Sequence, residues 1–137
     1  MAKKEMVYSK ERKIELLCKD NYKGFNYYIL NLGTHPTAYI EIPKGHLLYG
    51  MSYGEIYDKD YNIDVHGGLT YSDNHLQILE NGNWFIGWDY AHWSDYMPFY
   101  DEISISLKKW TTELKKWTTD EIIEECKKAI EQIEEIK

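Results

Sequence analysis

Residues 13–42 read KIELLCKDNYKGFNYYILNLGTHPTAYIEI, and this stretch decides the fold. Lys13 to Cys18 predicts a strand. Asp20-Asn21-Tyr22-Lys23-Gly24 has the composition of a turn. Phe25 to Leu32 predicts a second strand, joined to the first as a hairpin. Gly33-Thr34-His35-Pro36 breaks it, and Thr37 to Ile42 alternates until Pro43 stops it. Three such strands in succession make an antiparallel meander.

The far end of the chain supplies the other half of the fold. Leu107, Trp110, Leu114 and Trp117 follow the i, i+3, i+7, i+10 spacing of an amphipathic helix. Thr118 and Glu121 form a capping box. Beyond it, Ile122, Cys126, Ala129, Ile133 and Ile136 make one apolar stripe. Residues 107–113 (LKKWTTE) are echoed by 114–120 (LKKWTTD), and a local duplication that extends a helix accounts for the echo.

Between these ends the signals are shorter. Tyr49, Tyr53 and Tyr57 recur at i, i+4 and i+8, which predicts a short helix or helical turn. Ile63 to Tyr71 (IDVHGGLTY) starts as a strand and is interrupted by Gly67-Gly68, the mark of a bulge or close backbone approach. Glu80-Asn81-Gly82-Asn83 predicts a hairpin turn, with Leu76 to Leu79 and Trp84 to Tyr90 as its arms. Ala91 to Asp95 is a polar and aromatic loop ending near Pro98. The expected fold is a single α+β domain over 1–137, with residues 1–12 frayed and a small, mostly antiparallel sheet packed on a long C-terminal helix.

Composition narrows the function classes. The 137 residues suffice for one domain with a real core, and 43% of them are hydrophobic. No apolar run approaches membrane-spanning length and no signal peptide is read, so a cytoplasmic location is expected. Cys18 and Cys126 share no motif spacing and are expected as buried thiols. The net charge of −7 argues against a nucleic-acid backbone as partner. Only Arg12 among the sixteen basic residues is an arginine, which argues against arginine phosphate clamps. Thirteen tyrosines and five tryptophans suit a rich core, a homo-oligomeric interface or a stacking pocket.

The residues able to do chemistry crowd into Lys44-Gly45-His46, into His66-Gly67-Gly68-Leu69-Thr70-Tyr71-Ser72, and into Gly87 to Asp95. His46, His66, Asp89, His92 and Asp95 are suitable metal ligands, although no H-x-x-x-H or C-x-x-C spacing is present. A metal would be held by His66, Asp89 and His92. A catalytic reading makes His66 or His92 a general base with Asp89 as its orienter, acting on a hydroxyl such as Thr70 or Ser72. A binding reading uses backbone N–H groups near Gly67 for phosphate, Asp89 for ribose, and Trp84, Trp88 or Trp93 for stacking. Beside all three stands the plainer reading of hydrogen-bonded histidines and core aromatics.

The motifs Pro-Lys-Gly-His (43–46), Val-His-Gly-Gly-Leu-Thr-Tyr (65–71) and Trp-Phe-Ile-Gly-Trp-Asp-Tyr-Ala-His-Trp-Ser-Asp (84–95), with a C-terminal Glu-Glu-Cys helix, carry a resemblance. They resemble a family of small proteins of phages, prophages and their hosts, over Ile42 to the C-terminus. In that family a cysteine is common at the position of Tyr90, and a small residue at that of Trp93. The phage setting resembles that of anti-defence proteins, including sponges for nucleotide immune signals, an analogy of setting rather than of chemistry. The leading expectation is therefore a protein that sequesters a nucleotide-derived molecule without turnover and without a cofactor. Its cleft would be lined by His46, His66, Gly67, Gly68, Thr70, Trp88, Asp89 and His92. The alternatives are a small His/Asp hydrolase or phosphoesterase, metal-assisted or not, and an inhibitor that masks a host defence protein.

Overall fold

In the computed structural model, the residues described are 14–76, 83–92, 95 and 114–137. Strands β1 (Glu15–Tyr22) and β2 (Phe25–Asn31) form the expected hairpin. Lys23 and Gly24 turn it, both with positive φ (51° and 88°), as a two-residue turn matched to strand twist requires. The Asn21 side chain braces the turn, accepting from the Gly24 N–H at 3.1 Å and donating to Asn26 at 2.8 Å. β3 (Pro36–Ile42) pairs with β2 and completes the meander.

The chain leaves β3 for a short helix, α1 (Tyr53–Asp58), and returns through β4 (Tyr71–Asp73) and β5 (Trp84–Asp89). β5 lies against β3, with Ala38 opposite Trp88 and Tyr39 opposite Gly87. The five-stranded antiparallel sheet has the order β1-β2-β3-β5-β4. Gly87 is a close approach: a Cβ there would lie 2.5 Å from the Ala38 carbonyl and 2.5 Å from the Tyr39 ring.

The C-terminal helix α2 (Thr119–Glu134) packs on one face of this sheet. Its capping box forms as the sequence predicts, Thr118 accepting from the Glu121 N–H and Glu121 from the Thr118 N–H. Ile122, Cys126, Ala129, Ile130 and Ile133 meet Tyr27, Ile29, Ala38, Ile40, Ile86 and Trp88 in the main core. Period 2 on the strands puts Tyr28, Leu30, Tyr39 and Phe85 on the opposite face, in a second buried cluster with Leu76. The fold is thus α+β, a small antiparallel sheet on a C-terminal helix. Cys126 is buried and Cys18 partly so, both as free thiols.

Four local expectations are corrected. α1 starts at Tyr53, capped by Ser52, so Tyr49 lies before the helix rather than on its stripe. Residues 61–70 contain no strand. Their backbone N–H groups bond to helix side chains instead of a neighbouring strand: Asp64 to Gln132 at 2.6 Å and His66 to Glu125 at 3.0 Å. β5 pairs with Tyr71–Asp73, which lies before the expected arm, while residues 77–82, with the Asn81-Gly82 turn, fall outside the described residues. Leu114 to Trp117 are not helical. The Lys115 backbone forms an isolated parallel β-bridge with Asp95 there, and α2 begins only after Thr118. Leu107, Trp110 and the first copy of the repeat lie outside the described residues.

Candidate functional site

The site forms where three segments meet over the first turns of α2: the loop at 65–70, the end of β5, and Trp117. The loop is shaped first. The Gly68 N–H bonds to the Val65 carbonyl at 2.9 Å, and Gly67 takes φ +72° at the third position of that turn. Tyr57 of α1 fastens both sides of the loop, donating to the Ile63 carbonyl at 3.1 Å and accepting from the Leu69 N–H at 2.8 Å. The Thr70 N–H continues the ladder to the Gly87 carbonyl at 2.9 Å.

His66 projects from this turn onto Asp95. Its Nε2 lies 2.8 Å from Asp95 Oδ2 and 3.0 Å from Oδ1. Asp95 is only 1% exposed, and it also accepts from the Trp117 indole N–H at 2.9 Å and the His92 backbone N–H at 3.0 Å. Burial by itself pushes the Asp95 pKa up. The donors from His66, His92 and Trp117 outweigh it and hold the carboxyl below its usual range. With Nε2–H given to a carboxylate, Nδ1 is the basic nitrogen of the His66 ring.

Aromatic rings immobilise His66. Tyr90 stacks on it at 5.0 Å and 6°, Trp117 is tilted against it at 4.9 Å, and His92 meets it edge-on at 5.1 Å. Glu125 closes this layer from α2, accepting from the Tyr90 hydroxyl and from the His66 N–H. Burial and the Glu125 carboxylate both raise the Tyr90 pKa, so Tyr90 is a neutral donor.

His92 is the least settled member. Its Nε2 is buried, 3.5 Å from Asp89 Oδ1, and has no hydrogen-bond partner among the described residues. A Cβ on Gly67 would fall 2.0 Å from Nε2, 2.4 Å from Cε1 and 2.7 Å from Cδ2. Both ring carbons are closer than they would be to a point 2.0 Å out along the Nε2 lone pair, so Gly67 packs on the face of the imidazole. Asp89 accepts from the Thr70 hydroxyl at 3.2 Å and from the Ala91 N–H at 3.1 Å.

The sequence-predicted residues divide. His66, Gly67, Thr70, Asp89 and His92 come together. Gly68 adjoins them but faces α1, where a Cβ would meet the Tyr57 hydroxyl at 3.6 Å. His46 stands apart at the other end of α2. Its Nδ1 accepts from the Leu48 N–H at 3.0 Å, its Nε2 lies 3.1 Å from the Ile133 carbonyl, and its ring edges onto Phe25. Trp88 is in the core, 1% exposed, and spends its N–H on the Tyr90 hydroxyl, so it offers no stacking face. Trp93 lies outside the described residues.

Two roles also change. The orienter of His66 is Asp95, not Asp89. The phosphate nest expected near Gly67 is not available from its neighbours, because the N–H groups of His66, Gly68, Leu69 and Thr70 already serve Glu125, Val65, Tyr57 and Gly87. The hydroxyls are engaged too, Thr70 with Asp89 and Ser72 with the Tyr53 N–H, so neither contacts an imidazole. Sequence reasoning missed Trp117 and Glu125. Glu125 had a signal: it stands between Ile122 and Ala129 on the apolar face of α2, where an acid needs a partner.

On the outer side of Tyr90 and Trp117 lies a cavity of about 300 Å³, lined also by Leu17, Asn31, Thr34, His35, Pro36 and Lys116. His66, His92 and Asp95 together could hold a metal ion, their donor atoms all lying within 4.8 Å of one another. Comparison with protein families, with curated proteins and with solved structures finds no match for this chain.

Proposed function

We propose that the protein binds a small nucleotide-derived molecule at the His66, Asp89 and His92 cluster and holds it without turnover. The observation that carries this reading is the buried His92 Nε2, which has no hydrogen-bond partner among the described residues, beside an otherwise satisfied, aromatic-clamped cluster. An orphaned polar atom at a rigid site is where a ligand group gains most, since its desolvation has already been incurred. Trp117 and Tyr90 also border the neighbouring cavity, whose volume is at the small end of ligand sites and suits a planar group. The hydroxyls of Thr70 and Ser72 are bonded away from both imidazoles, so neither of these two is poised as nucleophile. Sequestration of an immune signal by a phage-type protein in a host cytoplasm is the biological form of this proposal. A homo-oligomer belongs to it as well, with the exposed Leu16 and Leu17 of edge strand β1 as its apolar contact.

One observation favours a second reading. A buried aspartate orienting a clamped histidine also suits activation of water, so hydrolysis of the same ligand class is the alternative. Comparing the ligand's fate with wild-type protein and His66→Ala separates the two. Under the holding reading the ligand keeps its mass with both proteins and His66→Ala only weakens binding. Turnover by wild-type protein, abolished in a His66→Ala variant that still binds, would replace it with the hydrolytic one.

A further inference from the structure

The charge pattern of the proposed site leaves a gap. An anionic ligand would meet a chain of net charge −7, a single arginine far away in sequence, and a glycine turn whose neighbouring N–H donors are already used. We propose that the missing positive charge is a first-row divalent metal ion, zinc or a close analogue, bound by His66, His92 and Asp95.

The donor set is of the right kind, two imidazole nitrogens and one carboxylate, the type that suits zinc, iron, cobalt or nickel over magnesium or calcium. The geometry is near what such an ion needs. Two ligands about 2.1 Å from one tetrahedrally bound ion lie about 3.4 Å apart, so a hydrogen-bonded pair has to open somewhat to take one. His66 Nε2 and Asp95 Oδ2 are 2.8 Å apart, and all three donor atoms fall within 4.8 Å. An inward shift of the half-exposed His92 side chain would complete the set. On binding, the ion takes the place of the hydrogen now shared by His66 and Asp95; that proton passes to Nδ1 of the same ring, so the imidazole stays neutral, its Nε2 lone pair faces the ion, and two ion contacts form.

Two independent features point the same way. The His92 Nε2 is buried with no hydrogen-bond partner among the described residues, and Gly67 packs on the face of that ring rather than along its in-plane lone pair. The carboxylate is also held from behind, because the Trp117 and His92 N–H groups fix Asp95 whether or not His66 does. Partners of this kind are what orient ligands at metal sites. Three protein ligands leave open positions on the ion, where a phosphate oxygen of the ligand, or a water, would bind. The carboxylate thereby changes from Asp89, the sequence expectation, to Asp95.

The inference extends the binding proposal but is tested without any nucleotide. Chelator-treated, dialysed protein would be titrated with Co(II) and with Zn(II) by calorimetry, with the Co(II) visible spectrum recorded in parallel. The expected result is one ion per chain, with His92→Gln and Trp117→Phe each weakening binding by about tenfold or more while circular dichroism stays native. Asp95→Asn should abolish binding, and His46→Gln should leave it unchanged. Absence of stoichiometric binding by wild-type protein would overturn the inference, as would binding that His66→Gln and His92→Gln leave unaltered. Because no nucleotide is present, a metal-binding protein that takes up no nucleotide would refute only the function proposed above.

Discussion

Gly67 and Gly68 look alike in the sequence and differ in the structure. Both have positive φ, yet only at Gly67 would a Cβ strike the His92 ring. Gly68→Ala should therefore cost about 1 kcal/mol of backbone strain and spare the site. Gly67→Ala should cost about 2–3 kcal/mol and expel His92. Chemical denaturation of both variants, with ligand or metal binding measured alongside, checks this; equal losses at the two positions would contradict it. The histidines diverge in the same way. His46 is bonded at both nitrogens within the fold, so His46→Ala should lose about 1–3 kcal/mol of stability with binding intact. At this scale the sequence exposed residue types but not their partners. Nothing in the spacing told that His46 would pin α2 while His66 and His92 met, because that depends on which strands the connections bring together. Asp95 was legible as a possible ligand and illegible as the orienter of His66, a contact spanning 29 residues.

The elements best read from sequence were those with local causes. The hairpin rests on Lys23-Gly24, the meander on alternation, and α2 on the Thr118 and Glu121 box with its apolar stripe. Removing the cap with Thr118→Ala should cost about 1 kcal/mol. It should also loosen Trp117, its neighbour, so a weakened site together with a lowered melting temperature is the expected pair of results. A melting temperature that matches wild type would sink the cap assignment. Elements failed to be legible where tertiary bonds override local pattern. The alternation at 63–66 is that of a strand, yet Gln132 and Glu125 take the backbone donors that a strand would need. The heptad echo favoured a helix through Trp117, but Trp117 gains a buried carboxylate partner by leaving that periodicity.

For the whole molecule, the buried tyrosines set an alkaline limit. Burial, with Cys18 and Asp20 nearby, pushes Tyr27 up to about 12, and burial with the Glu41 contact pushes Tyr28 higher still. In the unfolded chain a tyrosine titrates near about 10. The folded pKa being the higher, stability is intact below pH of about 10 and is lost as pH rises toward 12 and beyond. A titration followed at 295 nm and by circular dichroism should show a group of tyrosines that ionises only as the fold is lost. Complete ionisation near pH 10 with the fold retained would contradict the core assignment. Among the described residues no helix is long and apolar enough to cross a membrane. The α+β layering places one preorganised His/Asp cluster beside an aromatic-lined cavity, and the central claim is that this cluster holds a nucleotide-derived molecule. The most direct measurement is bind-and-release. Purified protein is mixed with cyclic mono- and dinucleotides, NAD and ADP-ribose, filtered, then heat-denatured, with every fraction read by mass spectrometry. The account expects one compound to vanish from the filtrate and return on heating with its mass unchanged, and to stay in the filtrate with His92→Gln. A panel that passes through untouched, or a compound recovered only at a new mass, would contradict it.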